Sequence, residues 1–314
     1  MWIRSTTTGV RLALLFITLL GVALRVRQLS ESLWLDELHT GWTITGDSQE
    51  LSARAQSGNQ SPCYFYLERA AAAIARFVLG SIAGEQLPYA QEWSLRALSL
   101  IAGLALPWAS YQLARQLAIP PSIAILAPLL TALDPQFIFY AQEARCYALV
   151  QLVATFHVTL SLRRMPCHSD TLPSDGQTLL ARFAWISISV ILFYLHYLTI
   201  LLIASSVFML LISQWHKAGR VGGRLRPLWQ AAVGQSDLRS LIVDSLIVLF
   251  AGSWALNHVA TVAARRQNWL RFLVSTPWYD IFDWMTYLAA PLITLTLFSV
   301  VTWIYSRLSP VTSQ

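Results

Sequence analysis

The chain has 314 residues, of which 55% are hydrophobic and only 12% charged, and its mean hydropathy is +0.51. Soluble globular chains carry about 25% charged residues, so this composition excludes a water-soluble domain and predicts a polytopic membrane protein. The net charge of +6 does not point to nucleic acid: Lys217 is the only lysine, and the arginines gather mainly at the ends of apolar segments, where they snorkel and orient helices.

A bilayer core of about 30 Å takes roughly 20 apolar residues per helix, which predicts an all-α bundle of about eight spans in a single transmembrane domain over 1–314. The segments are 9–29, 94–114, 118–138, 140–162, 182–197, 198–214, 240–260 and 285–306. The first is expected to be retained, because no small-residue cleavage site follows it. Arg25 and Arg27 read as snorkelling anchors at its end. Between the first two spans, 30–93 forms a long loop with short amphipathic helices. Glu50 to Ala55 can form one. Pro62 to Leu79 is dense in aromatic and apolar residues but interrupted by Glu68, Arg69 and Arg76, so it reads as an interfacial helix. The fifth and sixth spans meet at a break at His196-Tyr197; joined, they would make one span and invert everything after them. His196 and His258 read first as structural histidines.

Orientation follows from Arg163-Arg164 and from 215–239, which gathers Lys217, Arg220, Arg224, Arg226 and Arg239. Basic loops stay in the cytoplasm, so 30–93 and 261–284 are expected outside, at the plasma (inner) membrane. Cys63, Cys146 and Cys167 show no metal-ligand spacing. Cys63 and Cys146 can share the outer face, which leaves a disulfide between them open.

Chemistry is expected first at Trp34-Leu35-Asp36-Glu37, with His39 close behind. Adjacent carboxylates at a membrane boundary cost free energy unless something uses them; a solvated pair is the plain alternative. Three more clusters fall on the same side. They are Gly58 to Leu67, with Gln60 and Tyr64; Glu92 to Ser99, with Arg96; and Asp134 to Leu149. In the last, Asp134 can cap and Pro135 open a helix. That helix would carry Tyr140, Gln142, Glu143 and Arg145 in its first turns, with Glu143 and Tyr147 on one face. The forked donors of Arg145 match a phosphate, although an ion pair with Glu143 would explain it equally.

In this order and spacing the four clusters resemble the integral-membrane GT-C-type glycosyltransferases that use polyprenyl-phosphate sugars. These include the dolichyl-phosphate-mannose–protein mannosyltransferases and the lipid A aminoarabinose transferases. Ala23-Leu24-Arg25 through Glu37 looks like the family's first span and acidic motif. Ser61-Pro62-Cys63-Tyr64-Phe65-Tyr66 looks like its His-Pro-Pro-Leu-Tyr-Tyr segment, and Arg96-Ala97-Leu98-Ser99 like its Leu-Arg-x-x-Ser. Tyr140 to Leu149 is similar to Tyr-x-Gln-Glu-Ala-Arg-x-Tyr-Ala-Leu, the most specific of the matches. Gln60 stands where the family has histidine, so a metal site built on that histidine does not carry over, and the chain is shorter than is usual there.

The resemblance implies an inverting sugar transfer from a polyprenyl-phosphate donor to an acceptor hydroxyl at the extracytoplasmic face. A lipid phosphate is a good leaving group that needs charge stabilisation, and a hydroxyl nucleophile benefits from a carboxylate base. Asp36 is the expected base and Glu37 its support. Arg145, with Gln142 and Glu143, is expected to hold the donor phosphate; a divalent metal ion there is left open. His39, Gln60, Tyr64, Arg96, Tyr140 and His196 are candidate substrate contacts. The expected partners are the lipid-linked sugar, a protein, lipid or glycan acceptor, and membrane lipids. The rival readings are a shortened, non-catalytic scaffold that binds or moves a polyprenyl lipid, and, with less in its favour, a solute transporter, which would favour an internal inverted repeat that is not seen.

Overall fold

The computed structural model describes residues 8–83, 89–164, 175–220 and 236–264, and every regular element among them is helical. The helices are α1 (Thr8–Val26), α2 (Leu35–Thr45), α3 (Ser48–Ser57), α4 (Pro62–Ala83), α5 (Ala90–Gln116) and α6 (Pro121–Ala124). There follow α7 (Leu126–Leu133), α8 (Pro135–Ala141), α9 (Tyr147–Arg163), α10 (Asp175–Leu195), α11 (Ile200–Arg220) and α12 (Ser236–Ala264). The chain divides into two compact units, Met1–Val259 and Ala260–Gln314. Of the second, only the end of α12 is described, and the predicted span 285–306 lies outside the described residues.

Three of the described helices are long and apolar enough to cross a membrane: α1, α5 and the Leu238–Ala255 part of α12. A fourth arises if Pro121–Leu133 and Pro135–Ala141, bent by 58°, count as one broken span. α9 is shorter, at 17 residues, as are the apolar parts of α10 and α11, Leu179–Leu195 and Tyr197–Ser213. The outward faces suit lipid: Leu12, Leu15, Phe16 and Leu19 on α1, and Leu246, Leu249, Phe250 and Trp254 on α12, are exposed.

The bend at Pro135 has a local cause. Asp134 ends α7 and caps α8, its Oδ1 accepting from the backbone N–H groups of Gln136 (2.8 Å) and Phe137 (3.1 Å). Proline brings no N–H of its own for the Thr131 carbonyl, and the Gln136 N–H that would serve Ala132 goes to Asp134 instead, so both carbonyls lack helical donors. Arg25 takes both, at 2.9 and 3.1 Å. Arg25 is therefore fully buried rather than a snorkelling anchor, because acceptors are waiting for it inside the bundle.

The continuous helix expected from Tyr140 to Leu149 is broken at 142–146. Side chains from elsewhere take its backbone groups. The Ala144 N–H donates to Glu37 at 2.9 Å, Thr40 donates to the Ala144 carbonyl at 2.9 Å, and Ser99 to the Arg145 carbonyl at 2.9 Å. Glu143 and Tyr147 consequently do not share a helix face. The break at His196 is present as well. Leu195 ends α10, His196 is extended, and Thr199 closes the helix end by donating to the Leu192 carbonyl at 2.9 Å. A 3-10 turn, Tyr197–Thr199, then leads into α11.

These contacts bring the C-termini of α1 and α8, the start of α2 and the N-termini of α5 and α9 to one end of the bundle. At the other end Arg163 reaches Gln116 at 3.2 Å, and the buried Asp244 of α12 pairs with Arg164 (2.6 Å) and Arg182 (2.8 Å). Close approach of α5 and α8 depends on Gly103, where a Cβ would lie 2.3 Å from the Ala141 Cβ. Gly103→Ala is expected to cost about 1–3 kcal/mol by overpacking. Adding Ala141→Gly should recover most of it in thermal unfolding of the purified protein.

Candidate functional site

Asp36 and Glu37 both lie in the first turn of α2, where the helix dipole favours carboxylates. Neighbouring residues on a helix point about 100° apart, so the two acids part company. Glu37 turns inward and is fully buried. Its Oε1 accepts from Arg96 Nε at 2.8 Å and from the Ala144 N–H at 2.9 Å; its Oε2 accepts from Arg96 Nη2 at 2.6 Å and the Trp34 N–H at 3.3 Å. Arg96, also buried, donates through Nη1 to the carbonyls of Leu29 and Glu31, both at 2.8 Å. This pair is committed to the fold: it binds α2 to α5, to the end of the α1 loop and to the 142–146 turn.

Asp36 turns outward, its side chain 42% exposed, and forms an ion pair with Arg145. The Arg145 guanidinium lies 5.5 Å from the Tyr147 ring centre and 3.4 Å from its hydroxyl. Tyr147 in turn packs against Tyr140 at 5.0 Å and His196 at 6.4 Å. His39, three residues after Asp36, rests against Trp42 and Phe65. Burial, with Arg145 nearby, holds its imidazole below the ordinary value, so it is neutral at neutral pH. Gly58 makes room for that ring; a Cβ there would lie 2.6 Å from His39 Cε1. Gln60 is half-buried in the turn between α3 and α4. The Ser61 hydroxyl donates to the Tyr194 carbonyl and so ties that turn to the end of α10.

Other expected site residues go elsewhere. Tyr64 is a core residue, 2% exposed, whose hydroxyl donates to Glu68 Oε2 at 3.0 Å. It packs in the same core cluster as Leu95 of α5. Gln142 uses its Nε2 on the carbonyls of Leu24 and Arg25, both at 3.1 Å, closing the end of α1. Glu143 faces a cavity of about 390 Å³ that neither Asp36 nor Arg145 lines. Gln142 and Glu143 thus line this cavity, whereas Arg145 pairs with Asp36. Cys63 and Cys146 are free thiols. Among the described residues no group of three His, Cys, Asp or Glu side chains could hold a metal ion.

Sequence reasoning took Arg25 for a snorkelling anchor and Glu68 for an interruption of an interfacial helix, and did not single out Asp244. Asp244 carried a usable signal, an acid inside an apolar run. Arg25 and Glu68 carried none, since their partners are set by the fold. No family model matches the chain, and no curated protein or solved structure does either.

Two outcomes are expected. Glu37→Gln leaves Arg96 buried without its counter-charge and should cost about 3–5 kcal/mol in unfolding, whereas Asp36→Asn, half exposed, should change stability by only about 0.5 kcal/mol. Burial also pushes the Glu68 carboxyl up from 4.5 to about 8. The folded state then holds that proton more tightly than the unfolded chain. Its contribution to stability is present in full below the unfolded value, declines as pH rises, and is gone above the folded one. Thermal midpoints should fall less steeply between about pH 5 and 8 in Glu68→Gln than in the wild type.

Proposed function

We propose that the chain is a multi-pass membrane glycosyltransferase. It transfers a sugar from a polyprenyl-phosphate donor to an acceptor hydroxyl at the extracytoplasmic membrane face, with inversion. The observation that carries this reading is the Asp36–Arg145 pair. Two residues 109 positions apart, each in a motif that resembles the GT-C-type enzymes, meet at an accessible end of a bundle that carries apolar, membrane-length helices. A guanidinium over an aromatic ring, beside a reachable carboxylate, offers what such a transfer requires: a fixed charge for the leaving phosphate and a base for the incoming hydroxyl.

In this mechanism the donor phosphate takes the fork of Arg145 and displaces the Asp36 carboxylate from it. Asp36 then accepts the proton of the acceptor hydroxyl as its oxygen bonds to the anomeric carbon. The bond from that carbon to the phosphate oxygen breaks, and the phosphate leaves with the electron pair beside Arg145. A single in-line displacement inverts the anomeric centre. Neutral His39 can hydrogen-bond the acceptor, and Tyr140 and Tyr147 form an aromatic floor. Glu37 and Arg96 act only by positioning.

Loss of a general base typically costs about 10²–10⁴ in rate, and Asp36→Asn is expected to fall in that range with a polyprenyl-phosphate sugar as donor. Arg145→Lys keeps the charge and loses the fork, so it should mainly raise the donor KM. Near-normal turnover in Asp36→Asn would remove Asp36 from the chemistry. Donor binding by the wild-type chain with no turnover would instead assign a non-catalytic polyprenyl-binding role.

A further inference from the structure

The cavity of about 390 Å³ is lined by Glu37 and not by Asp36, and its size falls within the range of small-molecule sites. Its walls include three carboxylates, Glu31, Glu37 and Glu143, and one cation, Arg96. Glu37 and Arg96 neutralise each other through two hydrogen bonds, and Arg96 places Nη1 on backbone carbonyls. No cationic donor is left over for an anion. Glu143 is 5% exposed, and its Oε1 has no hydrogen-bond partner. An unmade hydrogen bond at a buried carboxylate oxygen costs free energy that a ligand donor would recover. Gln142 has both Nε2 hydrogens committed to the carbonyls of α1, which leaves its amide oxygen as an acceptor. The unused capacity of the cavity is therefore acceptor capacity beside negative charge. Trp34 and Phe139 add aromatic faces, which attract cations.

We propose that this cavity binds a small organic ammonium group, with Glu143 as its counter-ion and Trp34 and Phe139 beside it. Burial and the charge of Glu37 push this acid up to about 7 although Arg145 and Arg96 act against the shift, so a further positive group entering beside it would be favoured. The proposal does not rest on sugar transfer, because binding is read directly and neither Asp36 nor Arg145 lines the cavity.

The full-length protein in nanodiscs of phosphatidylglycerol would be titrated with ethanolamine and with ethylene glycol by ligand-detected NMR. The titration runs at about pH 8, where an aliphatic amine is still charged. Ethanolamine is expected to bind and ethylene glycol not to. Glu143→Gln should weaken ethanolamine about tenfold or more, since a cation loses its buried charge partner. Glu31→Gln, at an exposed position, should weaken it a few-fold and gives a second reading if the first variant does not fold. Equal binding of the two ligands would overturn the proposal, as would unchanged ethanolamine binding in the folded variants. Repeating the titration in phosphatidylethanolamine nanodiscs separates the sources: loss of soluble ethanolamine binding identifies a lipid headgroup as the occupant, and retention identifies a free amine.

Discussion

The rest of the site depends on the buried pair of Glu37 and Arg96. As a source of stability such a pair is ambiguous, because desolvating two charges offsets most of their attraction. Its effect on direction is not ambiguous. With Glu37 held inward by two guanidinium N–H groups, the helix leaves Asp36 only the outward side. The same carboxylate takes the Ala144 N–H and so opens the turn from which Arg145 emerges. One buried side chain thus aims both members of the accessible pair.

Features that depend on a few neighbouring residues were legible in the sequence. Asp134 and Pro135 announce a cap and a helix start, and both are present. The helix from Pro62 and the interruption at His196 follow from composition and patterning. What local pattern could not convey was competition from distant groups. Tyr140 to Leu149 reads as uninterrupted helix until a carboxylate 107 positions away claims the Ala144 amide. Arg25 reads as a snorkelling anchor and Glu68 as an interruption of an interfacial helix, yet Arg25 donates to carbonyls at the end of α7 and Glu68 accepts from Tyr64 within the core. Of the candidate site, the pairing of the first and last motifs was legible as an expectation of resemblance. The separation of Glu143 and Gln142 from Arg145 was not, since it depends on a turn that sequence periodicity smooths over.

The two ends of the bundle also differ in kind. One carries a half-exposed ion pair among tyrosines and histidines. The other closes on Asp244, fully buried between two arginines, one of which lies 4.9 Å from the Trp185 ring centre. Reactivity needs a charge that can change partners, and only the first arrangement offers one.

The exchange between Pro135 and Arg25 has a consequence for how this chain can vary. Replacing the proline would supply an N–H for the Thr131 carbonyl, one of the two carbonyls that the guanidinium takes. Replacing the arginine alone would strand those carbonyls in an apolar interior. Each residue supports the other, although nothing near either one in the sequence points to the pairing. A lineage would therefore be expected to keep both or to lose both within a short interval, so that a kink and a charge 110 positions apart behave as one inherited character.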